Sequence, residues 1–152
     1  MREPSCDAEY LTGFISLPLG DVTGSNSRFG VLRGPIDRET GQLGAVYDRN
    51  NIARIMEPIS THPVTGETID GFQLPHWEEA VELAIEAHGT LPKIALVGWD
   101  IGLTPEGPVI IEGNSTPGAN SPQITHKKPW GATRFPELYR ENLRHVKENE
   151  NP

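Results

Sequence analysis

The chain has one cysteine, Cys6, in 152 residues. A lone thiol forms no internal disulfide, so no covalent cross-link supplements the core. Long apolar runs are missing too. None approaches the ~20 residues that span a bilayer, and Met1-Arg2-Glu3-Pro4-Ser5 lacks the apolar stretch of a signal peptide. The expectation is a cytoplasmic protein with no membrane contact. Positive charge is scarce: 13 Lys and Arg against 21 Asp and Glu give a net charge of −8. That excludes the basic footprint of a nucleic-acid binder. Lysine is absent before Lys93. The sequence also lacks a GxxxxGK phosphate loop, zinc-ligand spacing and a Ser-His-Asp set that sequence assembles.

Turn formers, by contrast, are plentiful, with 16 Gly and 14 Pro. A chain this long buries about 70% of its unfolded surface, enough for a single domain over residues 1–152, with 1–9 and 147–152 expected to be disordered. Tyr10–Leu19 alternates Ile15, Leu17 and Leu19 with Ser16 and Pro18, which predicts a strand that, because of Pro18, is an edge or ends early. Phe29–Asp37 and Leu43–Asp48, joined by the turn Arg38-Glu39-Thr40-Gly41, extend it to a hairpin or meander. Asn50–Ile59 fits a helical turn as well as an irregular segment. In Pro75–Gly89, Trp77, Ala80, Val81, Ala84, Ile85 and His88 follow the spacing of one buried helix face, with Glu82 and Glu86 on the wet side. Phe135–Asn149 reads as a second helix with a modest apolar stripe of Leu138, Tyr139, Leu143 and Val146. The fold class is α+β: a mostly antiparallel sheet with two main helices packed on it.

One stretch carries an electrostatic oddity. Val97 to Asn114 reads as two strands joined at Pro105-Glu106-Gly107. If those three residues form the loop, Thr104 lies opposite Pro108, Gly102 opposite Ile110, Asp100 opposite Glu112 and Gly98 opposite Asn114. Side chains alternate faces, so Asn114 points the same way as Glu112, and glycines on either side of Asp100 leave space around it. Opposed carboxylates about 5 Å apart repel by roughly 3 kcal/mol at an effective dielectric near 20. A bound cation or a shared proton relieves this. Oxygen ligands without Cys or His favour a hard ion such as magnesium. The alternative is a one-residue slip that turns Glu112 to the other face.

Other candidates are weaker. Gly20–Arg28 is a small polar loop able to wrap a phosphate or carboxylate, or simply a connection. Ser115-Thr116-Pro117-Gly118-Ala119-Asn120 continues directly from Asn114 and is rich in backbone N–H donors, which suits an anion beside a metal, though an ordinary turn has the same composition. His62, before Pro63, reads as a ligand contact or a structural residue. His126-Lys127-Lys128 is the only local basic cluster, placed to meet phosphate or solvent.

Asp100, then Ile-Ile-Glu112-Gly-Asn114, then Thr116-Pro117-Gly118 resembles the metal-binding end of ATP-grasp ligases. The nearest resemblance is to the sugar-transfer-associated ATP-grasp group, related to α-L-glutamate ligases. Ile36-Asp37 with Thr40-Gly41, His62-Pro63 with Thr65-Gly66, and Pro75-His76-Trp77 look like its upstream landmarks, and the likeness runs from about Phe14 to Gln123. The resemblance implies an ATP-grasp C-terminal subdomain and a place in polysaccharide biosynthesis. It implies Mg2+ or Mn2+ held by Asp100, Glu112 and Asn114, which would also be the catalytic set, and ATP near Ser115, Thr116 and Gly118. Asn26, Arg28 and Arg33 are the candidates for an anionic substrate. A carboxylate would be activated as an acylphosphate and then attacked by a nucleophile.

ATP-grasp enzymes are longer, and their N-terminal part supplies phosphate-binding lysines and a Gly-rich flap that are not recognisable here. The expectation is therefore a C-terminal half whose ATP-binding half comes from another chain or from a longer reading of the gene. The expected partners are a nucleotide, a small-molecule carboxylate and that missing half. Two other classes stay open: a non-catalytic remnant that keeps a metal or anion site without turnover, and a purely structural domain.

Overall fold

A computed structural model describes residues 8–19, 30–48, 57–91 and 94–150, with side chains to residue 144. It is an α+β fold of antiparallel strands and three α-helices. The chain divides into two compact units. One comprises Thr12–Leu74 and Asn120–Lys128; the other comprises Met1–Leu11, Pro75–Ala119 and Pro129–Pro152.

The first unit is built on a three-stranded antiparallel meander of β1 (Phe14–Pro18), β2 (Val31–Pro35) and β3 (Tyr47–Asp48), in that order. β1 is shorter than the alternation suggests and ends at Pro18, which pairs with Val31 and lies on the sheet edge. Leu32 and Val46 are fully buried, and Val31, Ile36, Leu43, Tyr47, Ile69 and Leu74 complete the core. Each large apolar side chain sequestered in this way stabilises by about 1.5–3 kcal/mol. The turn after β2 forms because Asp37 Oδ1 accepts from the Thr40 hydroxyl at 2.7 Å, the Thr40 N–H at 2.8 Å and the Glu39 N–H at 3.1 Å. Gly41 follows at φ 72, a conformation that favours glycine. Single bridges join Val46, just before β3, to Ile59 and Thr61 to Thr68. The short helix α2 (Asn120–Thr125) packs on β2 and β1. Ile15, Leu17, Leu43, Ile69, Phe72 and Leu74 are among the residues lining an open, apolar cavity of about 450 Å³ in this unit. The proposed segment Asn50–Ile59 falls largely outside the described residues.

The second unit carries α1 (Trp77–Gly89), β4 (Gly98–Thr104), β5 (Gly107–Asn114), a 3-10 turn at Trp130–Ala132 and α3 (Phe135–Glu150). α1 starts two residues later than its Pro75 signal suggests. It buries Ala80 and Val81 and leaves Glu82 and Glu86 exposed, as its periodicity predicts. It packs on the hairpin of β4 and β5. α3 packs against the 3-10 turn, where the Trp130 and Phe135 rings lie 4.9 Å apart. The apolar stripe expected along α3 is only partly covered, since Tyr139 and Leu143 are exposed.

Candidate metal site

The hairpin pairs Asp100 with Glu112, by a different route from the one the turn signal implies. The loop has two residues, Pro105 and Glu106, and Thr104 pairs with Gly107 rather than Pro108. Thr104 closes the turn: its hydroxyl donates to the Gly107 carbonyl at 2.9 Å and accepts the Glu106 N–H at 3.2 Å. Leu103 then pairs with Pro108, Gly102 with Val109 and Ile101 with Ile110, each one residue out of the expected register. A bulge follows between Asp100 and Ile101 and leaves Ile111 as the extra residue. Beyond it Asp100 faces Glu112, Trp99 faces Gly113 and Gly98 faces Asn114.

Glu112 and Asn114 share a face and touch. Asn114 donates Nδ2–H to Glu112 Oε1 at 3.1 Å. A carboxylate oxygen only accepts in such a bond, so the amide nitrogen is committed to Glu112 and Oδ1 is the Asn114 atom that would ligate. Asp100, Glu112 and Asn114 are all exposed. Two carboxylates and an amide oxygen are hard ligands that fit magnesium or manganese. They would make a partial shell, to be completed by phosphate oxygens and water. Among the described residues no group of three or more His, Cys, Asp and Glu side chains has the arrangement of a metal site.

The glycines beside Asp100 do not leave open space. A Cβ on Gly98 would lie 2.7 Å from Pro117 Cβ, so Pro117 folds over the end of β4 on that face. This places the expected anion loop, with Ser115, Thr116 and Gly118 exposed, beside the carboxylates. A Cβ on Gly102 would lie 3.4 Å from both Ile111 and Val109, which puts these side chains on the same face. Ile111 is 68% and Val109 47% exposed. Along one face there thus lie a backbone-rich loop, two carboxylates with an amide, and an exposed apolar shelf. The shelf is a feature that pairing by alternation alone misses. Its only trace in the sequence is the run Val109-Ile110-Ile111, too long for an alternating strand.

Asn26 and Arg28 lie outside the described residues. Arg33, in the meander unit, donates Nη1–H to Ser121 Oγ at 2.5 Å and stacks 5.5 Å above the Phe14 ring. These two contacts hold its guanidinium. His62 donates from Nε2 to the Pro18 carbonyl at 3.2 Å and accepts the Thr65 N–H on Nδ1 at 3.2 Å, the role of a structural clasp. His126 is likewise engaged, donating to the Gly13 carbonyl at 2.7 Å, and Lys127 lies 5.2 Å from the Tyr47 ring centre.

Residues 9–131 match the model of the sugar-transfer associated ATP-grasp family, and the chain belongs to that family. No curated protein and no solved structure matches it. Membership makes the chain an ATP-grasp-like domain in an ATP-binding, ligase-like family associated with sugar transfer; that family generally uses ATP and Mg2+ with small carboxylate substrates. The hairpin lies inside the matched residues and α3 beyond them. No described helix is long and apolar enough to cross a membrane.

Proposed function

We propose that this domain binds Mg·ATP on the Asp100–Glu112 face and serves the activation of a carboxylate through an acylphosphate. The observation that carries the reading is the pairing of Asp100 with Glu112, with Asn114 hydrogen-bonded to Glu112 on the same face. Asp100, Glu112 and Asn114 Oδ1 would hold the ion. When bound, magnesium neutralises charge developing on the transferred phosphoryl group. The backbone N–H groups of Ser115, Thr116 and Gly118 would meet phosphate oxygens. Ile111 and Val109 would give the flat face of the base an apolar surface that is otherwise left to water. Arg33, together with Asn26 and Arg28, is the proposed contact for the substrate anion, since a guanidinium pairs bidentately with carboxylate or phosphate.

In this reading the lysines that grip ATP come from an ATP-binding half outside these residues, because no lysine precedes Lys93. The same fact favours a second reading, a module that binds metal or anion without turnover.

Calorimetry tests the site. Asp100→Asn and Glu112→Gln should each weaken Mg·ATP binding by tenfold or more, since each removes a charged ligand worth about 1.5–3 kcal/mol. Ile111→Ser should weaken ATP while leaving manganese binding intact. Unchanged Mg·ATP affinity in both carboxylate variants would sink the site.

A further inference from the structure

Lys127 follows α2 at φ 50, a left-handed conformation that favours glycine and that other residues seldom adopt. It stands where a glycine usually ends a helix. The Lys127 N–H donates to the Ile124 carbonyl at 3.3 Å, and the Lys128 N–H donates to the Gln123 carbonyl at 3.1 Å. The turn itself needs no side chain at this position. What Lys127 adds is an ammonium, 5.2 Å from the centre of the Tyr47 ring.

Tyr47 is only 8% exposed. Its hydroxyl meets no hydrogen-bond partner among the described residues, and it is not sealed from solvent. Tyr47 lies directly opposite Arg33 in the β2–β3 ladder, so the two side chains stand on one face, about 5 Å apart at Cβ. Arg33 is held on that face by the Ser121 hydroxyl and the Phe14 ring. A guanidinium, an ammonium and a buried phenol thus share one side of the meander. The elements that build this side bring no carboxylate to it. β1, β2 and residues 120–128 contain no Asp or Glu, and Asp48, the acid of β3, alternates to the other face. In a chain of net charge −8 this is a local excess of positive charge.

We propose that Arg33, Lys127 and the Tyr47 hydroxyl form the seat of a phosphate monoester. The anion that Arg33 contacts is then a phosphate group, carried by the substrate apart from the carboxylate that is activated. The proposal rests on the reading of Arg33 as the substrate-anion contact and is independent of the metal face. Charge and donor number decide between the two anions. A carboxylate has one charge and two oxygens, which a single guanidinium pairs bidentately. A phosphate monoester carries close to two charges and three acceptor oxygens. It calls for a second cation and a further donor, which Lys127 and Tyr47 supply. Lysine serves phosphate as a point charge, which suits an ammonium standing beside the guanidinium's fixed fork.

The test is calorimetry of the full chain with inorganic phosphate and, separately, acetate. The buffer is magnesium-free and of low ionic strength, at about pH 8, where phosphate is mostly dianionic. Phosphate should bind at least about tenfold more tightly than acetate. Lys127→Gly, which suits the left-handed backbone and so keeps the fold, should lower phosphate affinity about tenfold, since it removes a charged donor. Tyr47→Phe should lower it about threefold. Lys128→Met removes the same charge one residue further on and should change it by less than about twofold. Equal losses in Lys127→Gly and Lys128→Met would reduce the effect to net charge and overturn the seat. Acetate bound as tightly as phosphate, and weakened by Arg33→Lys, overturns the phosphate assignment and leaves Arg33 as an anion contact. A wild-type chain that binds neither anion overturns both.

Discussion

Single side chains here do more holding than their polar character suggests. Asp37 is the clearest case. Its carboxylate accepts three hydrogen bonds, led by the Thr40 hydroxyl and then the Thr40 N–H, and these hold its pKa below the usual carboxylate value. A depressed folded-state pKa contributes stability that is present above about pH 3.9 and is lost as pH falls through the lowered value. Asp37→Asn should therefore be less stable than the wild type at neutral pH, with the gap closing in acid. Urea midpoints at several pH values check this. His62 belongs to the same group: the sequence leaves it open between a ligand contact and a structural residue, and its two backbone bonds decide for structure. Nothing in the sequence separates the two, because Pro18 lies 44 residues away in the chain.

Among the elements, α1 and the hairpin differ in how far the sequence reveals them. α1 is legible because its apolar spacing is helical from Trp77 to His88 and its wet face carries Glu82 and Glu86. The hairpin's facing carboxylates are legible too, but through two shifts that cancel. The loop is one residue shorter than Pro105-Glu106-Gly107 suggests, and the bulge restores the offset. No residue type marks a bulge at Ile111; it follows from how the strands twist and pack. Gly113 exposes the cost of this packing. A Cβ there would lie 2.6 Å from Trp99 Cζ3, in the body of a ring that has little freedom to move. Gly113→Ala should destabilise the chain by about 1–3 kcal/mol, as overpacking does, and shift the Trp99 fluorescence. Thermal denaturation followed by emission reads both. Unchanged stability would mean that the Trp99 ring moves freely.

At the scale of the molecule, the family match runs from before β1 into the 3-10 turn, and α3 lies beyond the matched residues. The Asp-to-Glu-x-Asn spacing made the family readable, whereas the apolar shelf and the loop folded over Gly98 needed coordinates. The ligase-like reading predicts that Mg·ATP stabilises the chain, and so does the second reading where its module takes the metal with the nucleotide phosphates. At about a hundred times its dissociation constant the ligand adds about 2.7 kcal/mol, or roughly 5–10 °C in melting temperature for this length. The increase should vanish in Asp100→Asn. ADP formation separates the two readings: an enzyme produces it once the ATP-binding half is supplied, and a binding module does not.

The bulge also gives this hairpin a tolerance for changes in length. A residue gained in the turn while the bulge stays would carry Glu112 past Asp100 and onto the opposite face. The same gain with Ile111 squeezed back into the ladder would leave the carboxylates facing each other. Between Asp100 and Glu112 a single insertion is therefore neutral where the bulge closes and damaging where it stays. The bulge is the slack that lets a turn be rewritten without parting the facing carboxylates.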